Sequence, residues 1–313
     1  MASICAVDEP HDICYAKISE KGFLITRTMP DLRGNSGAEL PSALDLEART
    51  SMRIHKALIG IAATFVLALA APASAQNALA DIMTNKVIRI AIPTDFPPYG
   101  SVDTDMKPQG LDIDMANHIG NRLGVKVELV PVTSANRIPY LQTKKVDLVI
   151  STLGKNPDRE KVIDFTAAYS PFYQAVFGPR DFVIREPMDL AGKSISVTRG
   201  ATEDLELTRI APSDTEIRRF DDNAATLSAF VSGQVQLIAT GVSVASYMTA
   251  RNPQLNAEYK FVLKDSPNFI GVAKGEDTLR TKLNEIIAEA KKAGDLDRLS
   301  EKWLGRPTGD LPE

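Results

Sequence analysis

Ser151, Thr152 and Gly154 follow an apolar stretch directly, and Arg159 comes five residues after that glycine. Hydroxyls, loop amides and a guanidinium at this spacing make an anion site. Each hydroxyl or amide donates one hydrogen bond, and an arginine fork donates two parallel ones to a carboxylate. The plainer use of Arg159 is a surface ion pair with Glu160 or Asp164, a contact worth little in water. A second group, Arg199-Gly200-Ala201-Thr202, stands between a strand pattern and a helical pattern. Gly200 permits a tight turn there, and the amides around Thr202 open a helix whose dipole favours negative charge. Thr202 serving only as an N-cap fits the same residues.

Catalytic groups are scarce. From Gln76 onward His118 is the only histidine and cysteine is absent, so no Ser/His/Asp set, thiol nucleophile or His/Cys metal spacing can be assembled. Neither a dinucleotide fingerprint nor a phosphate-binding P-loop occurs. The paired acids Asp112 with Asp114 and Asp221 with Asp222 read as helix caps and exposed faces. The expectation is a protein without catalytic residues, metal or cofactor, and not an enzyme.

The elements that must position these residues alternate. Val87–Ile92 reads as a buried strand ended by Pro93, Pro97, Pro98 and Gly100. Leu111, Met115, Ile119 and Leu123 recur at helical spacing up to Gly124. Residues 125–130 form a second strand, 136–143 a short helix with Ile138 and Leu141 inward, and 146–150 a third strand. The alternation returns with strands at 194–198, 215–220 and 235–239 and helices at 202–209 and 223–232. Such alternation builds parallel sheet covered by helices, and two units of this size make two α/β lobes. Tyr173–Phe177 and Phe269–Ala273 are the segments read as crossings between lobes, which makes a double hinge. Lobe 1 is then 76–176 with 270–313, including tail helices at 278–293 and 296–303, and lobe 2 is 177–269.

Met52–Gln76 carries the layout of a secretory signal peptide: Arg53, His55 and Lys56, the apolar run Ala57–Ala71, and Ala73-Ser74-Ala75 before a cut. The run is too short to span a bilayer. Residues 52–75 are read as the signal peptide, and 1–51 as an N-terminal extension arising from a start assigned too early. The 238 residues from 76 suffice for one large or two modest domains. They hold 29 Lys and Arg against 32 Asp and Glu, a balance that excludes a nucleic-acid partner and a basic membrane-surface patch. With no cysteine after the cut there is neither a disulfide nor a lipid-accepting thiol. The exported product is expected in a periplasm, as a monomer.

Four ordered blocks, GLDIDMANHIGNRLGVKVELVPV, RIPYLQTKKVDLVIS, NPDREKVIDFTAAY and AGDLDRLSEKWLG, resemble the polar-amino-acid family of bacterial extracellular solute-binding proteins that serve ABC importers. The likeness covers essentially all of 86–305. It implies a two-lobe periplasmic-binding-protein fold of type II, each lobe an open mixed sheet flanked by helices, closing on an amino acid that is handed to a membrane permease. By position, Arg159 matches the arginine that grips the ligand's α-carboxylate. Ser151 and Thr152 match the donors beside it, Thr202 the lobe 2 partner, and Phe96 an aromatic that stacks on the ligand side chain. Thr133–Pro139 is similar to a glutamate/aspartate-binding branch, which implies a ligand contact for Arg137 and a lean towards acidic or polar amino acids; Arg137 on the outer face of its helix is the alternative. Three positions depart from the family. Gly241 stands where an acid usually holds the ligand's ammonium, Ser134 replaces an aromatic, and Gly154 lacks a hydroxyl. Either another acid such as Glu203 takes over, or the ligand is not an ordinary α-amino acid. The rival function is a cyclohexadienyl dehydratase-like enzyme on the same scaffold, with Glu203 or Asp95 as general acid.

Overall fold

The computed structural model describes residues 77–312; the signal peptide read at 52–75 and the extension at 1–51 lie outside the described residues. Asn77 caps helix α1 (Ala78–Asn85), its side chain accepting from the Ala80 N–H. Strand β1 (Val87–Ile92) follows, then a short hairpin of β2 (Ser101–Val102) and β3 (Pro108–Gln109). Helix α2 (Leu111–Leu123) ends at Gly124 in the left-handed conformation, as the apolar spacing and the glycine predict. Next come β4 (Lys126–Pro131), α3 (Arg137–Gln142), β5 (Leu148–Leu153), the single-turn α4 (Pro157–Glu160) and β6 (Ile163–Ser170).

The chain then crosses to a second sheet through β7 (Tyr173–Pro179), followed by β8 (Ser194–Thr198), α5 (Thr202–Ile210), β9 (Glu216–Phe220), α6 (Asn223–Val231), β10 (Leu237–Gly241), α7 (Val242–Arg251) and β11 (Ala257–Asp265). It returns as β12 (Asn268–Ala273) and ends in α8 (Asp277–Lys292) and α9 (Asp295–Leu304). The first sheet runs β4-β1-β5-β12-β6 and the second β11-β7-β10-β8-β9. Each has three parallel strands extended by two antiparallel ones. The fold class is therefore the expected mixed α/β arrangement of two open sheets.

The crossings differ from the expectation. Tyr173–Phe177 is a strand of the second sheet, paired with β10 and β11, and Phe269–Ala273 is a strand of the first, paired with β5 and β6. The linking residues are 171–172 and 266–267, so the lobe 1 boundary at 176/270 and the lobe 2 span 177–269 each shift by a few residues. A buried apolar strand and a crossing carry the same residue types, so composition alone does not separate them.

Each lobe has its own core. Ile88, Ile90, Met115, Ile119 and Leu148 are fully buried in lobe 1, while Val176, Ile195, Val197 and Leu237 are fully buried between α5 and the second sheet. Truncating any one of them to alanine would cost about 2–5 kcal/mol. The C-terminal ends of β1, β5, β8 and β10 all open toward the space between the lobes, where ligands of α/β sheets bind.

Candidate functional site

Lobe 1 builds its side of the site from the end of β5. Thr152 has φ +43, a left-handed conformation that a β-branched residue rarely adopts. Its N–H donates to Asp112 Oδ2 at 2.8 Å, and its carbonyl accepts from Arg137 Nη1 at 3.1 Å. The same Nη1 donates to Ser151 O at 2.7 Å, and Arg137 Nε donates to Ser134 O at 3.1 Å. Arg137 is only 3% exposed, so it does not lie on the outer face of its helix. Burial, with Arg159 nearby, pushes its pKa down to about 9.

Asp112 is wholly buried on the inner face of α2 and also accepts from Tyr169 Oη at 2.7 Å. Burial pushes this carboxyl up to about 7 against the pull of those two hydrogen bonds and Arg137. Reading Asp112 as a cap or exposed residue is thereby corrected. It shares a helical face with Met115, Ala116 and Ile119, a spacing visible in the sequence.

Asn156 caps the α4 turn through the Arg159 N–H at 2.8 Å, aiming Arg159 back at the β5 end. Its Nη1 donates to Gly154 O at 2.6 Å and to Thr202 Oγ1 at 3.4 Å, and its Nη2 donates to Gly200 O at 3.0 Å. Arg159 therefore bridges the lobes and makes no ion pair with Glu160 or Asp164, which pair with Lys155 and Lys274. Its pKa is lowered by burial, partly offset by the charge of Glu203. A Cβ on Gly154 would stand 2.9 Å from both Thr202 Oγ1 and Ser266 Oγ, so the hydroxyl absent here leaves room for the lobes to meet.

Lobe 2 presents the start of α5. Gly200 turns the chain at φ +72, its N–H held by Asp204 Oδ2 at 3.0 Å. Thr202 and Glu203 then occupy the first positions of the helix, both about 5% exposed. Among the described residues no other residue donates a hydrogen bond to the Glu203 carboxylate. Burial pushes its pKa up to about 7, opposed by its own backbone N–H and by Arg137 and Arg159.

Between the lobes lies a narrow cavity of about 20 Å³, walled by Phe96, Ser134, Arg137, Thr152 and Phe172 on one side. Thr198, Thr202, Glu203, Asn223 and Thr240 wall the other side. The structure thus brings Phe96, Arg137, Thr152 and Thr202 onto one surface. Ser151 and Arg159 sit in the layer behind it, Ser151 through its carbonyl on Arg137 and Arg159 through its contact with Thr202. Phe96 packs on Tyr99 and Phe172 with ring centroids 6.1 and 6.2 Å away. Phe172, which sequence reasoning passed over, explains Gly241: a Cβ there would lie 2.4 Å from the Phe172 ring. Asp95 accepts from Asn223 N at 2.7 Å, Asn223 Nδ2 at 2.9 Å and Ala224 N at 3.3 Å, so it joins the lobes beside the cavity. A larger depression of about 420 Å³ on lobe 1 contains the Arg89–Asp147 pair, already joined at 2.6 Å; all its lining residues belong to lobe 1. Among the described residues no His, Cys, Asp or Glu cluster could hold a metal ion, and no helix is long and apolar enough to cross a membrane.

A profile of the bacterial extracellular solute-binding proteins, family 3, matches residues 88–306. The L-cystine-binding protein TcyJ of Escherichia coli is 26% identical over 258 residues, which cover 80% of this chain and 96% of that protein. The solute receptor for L-cysteine of Neisseria gonorrhoeae superimposes with a TM-score of 0.68 at 30% identity, covering 72% of this chain and 93% of that one. An ancestral amino acid-binding protein, described as a precursor of cyclohexadienyl dehydratase, does so with a TM-score of 0.67 at 31% identity, covering 72% and 99%.

Proposed function

The chain belongs to the bacterial extracellular solute-binding proteins of family 3, and from that premise we propose that it is the periplasmic substrate-binding component of an ABC importer, holding a polar, net-neutral α-amino acid between its lobes. The observation that carries this reading is Glu203, a buried carboxylate with no other donor among the described residues, facing the cavity beside Thr202 and Arg159. It answers the missing acid at Gly241: an ammonium left unpaired in such a site would cost several kcal/mol, and Glu203 supplies the partner from the opposite element. Arg159, with five N–H donors and only three bonds, retains capacity for the α-carboxylate, helped by Thr202 and Thr152. Phe96 and Phe172 flank the side chain.

The charges in the site argue for a neutral side chain over an acidic one. Arg137 is balanced by Asp112 on the other side of the Ser151–Thr152 peptide, and its donors serve three carbonyls. Arg159 is balanced by Glu203. A zwitterion leaves that balance unchanged, whereas a second ligand carboxylate would meet no further cation among the described residues that wall the cavity. Ligand closes the lobes because Arg159, Thr202 and Glu203 engage it together only when closed, and the closed form is what a permease receives.

Isothermal titration calorimetry against the twenty amino acids and small dicarboxylates tests this. A polar zwitterion that binds and is recovered unchanged is expected; binding restricted to dicarboxylates, or to no amino acid, would refute the reading. A second reading is favoured by one observation, the Glu203 carboxyl held near neutrality. A protonated acid there suits expulsion of a hydroxyl leaving group, the step of a cyclohexadienyl dehydratase. NMR of a cyclohexadienyl substrate incubated with the protein separates the two, since turnover belongs only to the enzyme.

A further inference from the structure

We propose that Asp112 and Arg137 are positioning residues: they clamp the two peptide groups that flank the Thr152 Cα and hold the residue in a left-handed conformation that presents Thr152 to the ligand. The proposal rests on the amino-acid-binding reading for what Thr152 meets, but not for the clamp itself. The clamp is visible atom by atom. Thr152 N–H donates to Asp112 at 2.8 Å and the Ser151 C=O of that same peptide group accepts from Arg137 at 2.7 Å, so one peptide group separates a carboxylate from a guanidinium, and the Thr152 C=O of the next peptide group accepts from the same guanidinium at 3.1 Å. Neither partner is free to drift. Tyr169 Oη holds the other Asp112 oxygen at 2.7 Å from strand β6, and Ser134 and Ser151 carbonyls hold Arg137 at 3.1 and 2.7 Å.

Asp112, Tyr169 and Arg137 are 0, 2 and 3% exposed. Sequestering two ionisable groups this deeply is expensive, and apolar residues of similar volume would fill the space at less cost. A backbone held in a sparsely populated region persists only where its surroundings over-determine it. Here the over-determining groups converge on the one strained residue of β5 that lines the cavity. The geometry therefore assigns Arg137 to the shape of the site, with direct ligand contact secondary.

A double-mutant cycle tests the clamp, with Asp112→Ala, Thr152→Gly and the pair. Glycine enters the left-handed region without strain, so it should make Asp112 dispensable. In the wild-type background, Asp112→Ala should lower the Tm of ligand-free protein by about 5 °C and weaken amino-acid affinity about tenfold. In the Thr152→Gly background both losses should shrink to less than about half. Additive effects in both readouts would overturn the proposal, because a merely structural aspartate costs the same whatever stands at 152. Asp112→Asn, which can still accept from Thr152 and donate to Tyr169, should keep affinity within about threefold; a loss matching alanine would also overturn it. Should Asp112→Ala not fold, Tyr169→Phe, which frees one Asp112 oxygen, goes through the same cycle. If no amino acid stabilises the wild type, the binding reading falls, while the ligand-free Tm cycle still decides the clamp.

Discussion

Asp112 and Glu203 are two buried carboxyls on opposite lobes, both pushed up to about 7 by burial, and their surroundings differ in one respect. Asp112 is saturated by its own lobe, with a backbone N–H on one oxygen and a tyrosine on the other. Among the described residues, Glu203 has only its own backbone N–H and two arginines at longer range. An acid satisfied by its own lobe shapes the site, whereas a buried acid facing the cavity without a donor among the described residues is matched to something they do not supply. The displaced pKa alone would have ranked the two equally.

The largest break in this contrast comes from Arg159, which serves both the ligand reading and the lobe contact. Arg159→Ala should weaken amino-acid binding about a thousandfold by calorimetry, since it removes a buried charged donor and leaves Gly200 O, Gly154 O and the ligand carboxylate unpaired. Affinity within about tenfold of wild type would refute the carboxylate role. Glu203→Gln should cost about a hundredfold through loss of a charge-assisted bond to the ammonium.

Glu203 also sets opposite trends with pH. A carboxyl raised in the fold holds its proton more tightly there than in the unfolded chain, so its stabilising effect is full below about 4.5 and is lost as pH rises through about 7. Asp112 acts in the same direction. The Tm of ligand-free protein should therefore fall between pH 5 and 8 from these two groups, while affinity for an amino acid should rise from pH 6 to 8 as Glu203 ionises. Glu203→Gln should flatten the affinity profile; a profile that stays steep in that variant would assign the titration elsewhere.

Much of this arrangement is legible in the sequence. Val87–Ile92 and Ser194–Thr198 are found end to end because apolar runs there are bounded by proline, glycine or charge. Strand β11 escaped because at the sheet edge its residues alternate irregularly between half-buried and exposed, and α7 because its small and hydroxyl residues show little amphipathic contrast. Reading paired acids as caps held for Asp222, which accepts from Ala225 N at 2.7 Å, and failed for Asp112. A polar residue on an apolar helical face looks like an interruption until the strand end it serves is brought beside it. Phe172 carries no local signal at all: its role depends on Gly241, sixty-nine positions away in the chain and in contact only after folding.

That contact sharpens the contrast next. Gly241→Ala places a methyl 2.4 Å from the Phe172 ring, so the ring must shift into the cavity or the lobes must part. Overpacking of this kind costs about 1–3 kcal/mol, and affinity should fall about tenfold to a hundredfold. Phe172→Leu in the same chain should recover part of the loss. Full affinity in Gly241→Ala would mean that the ring does not wall the ligand.

The smallest expected effect concerns a third acid, Asp95, which is fully partnered but across the cleft. It accepts from the first two backbone N–H groups of α6 and from the Asn223 side chain, so it caps a lobe 2 helix from lobe 1, a contact that parting the lobes would break. Asp95→Asn turns one accepting atom into a donor that faces an N–H, a loss of about 1 kcal/mol. Because parting the lobes would break the contact, the cost should fall on closure, and affinity should drop about fivefold, mostly through faster release of the amino acid. Asp222→Ala is the matched control, since Asp222 caps the same helix from within lobe 2. It should lower Tm by about 2–4 °C with little change in release rate. Stopped-flow release and thermal melts on the two variants read this directly: equal effects on release would mean that α6 stability, and not the bridge between lobes, governs how long the ligand stays.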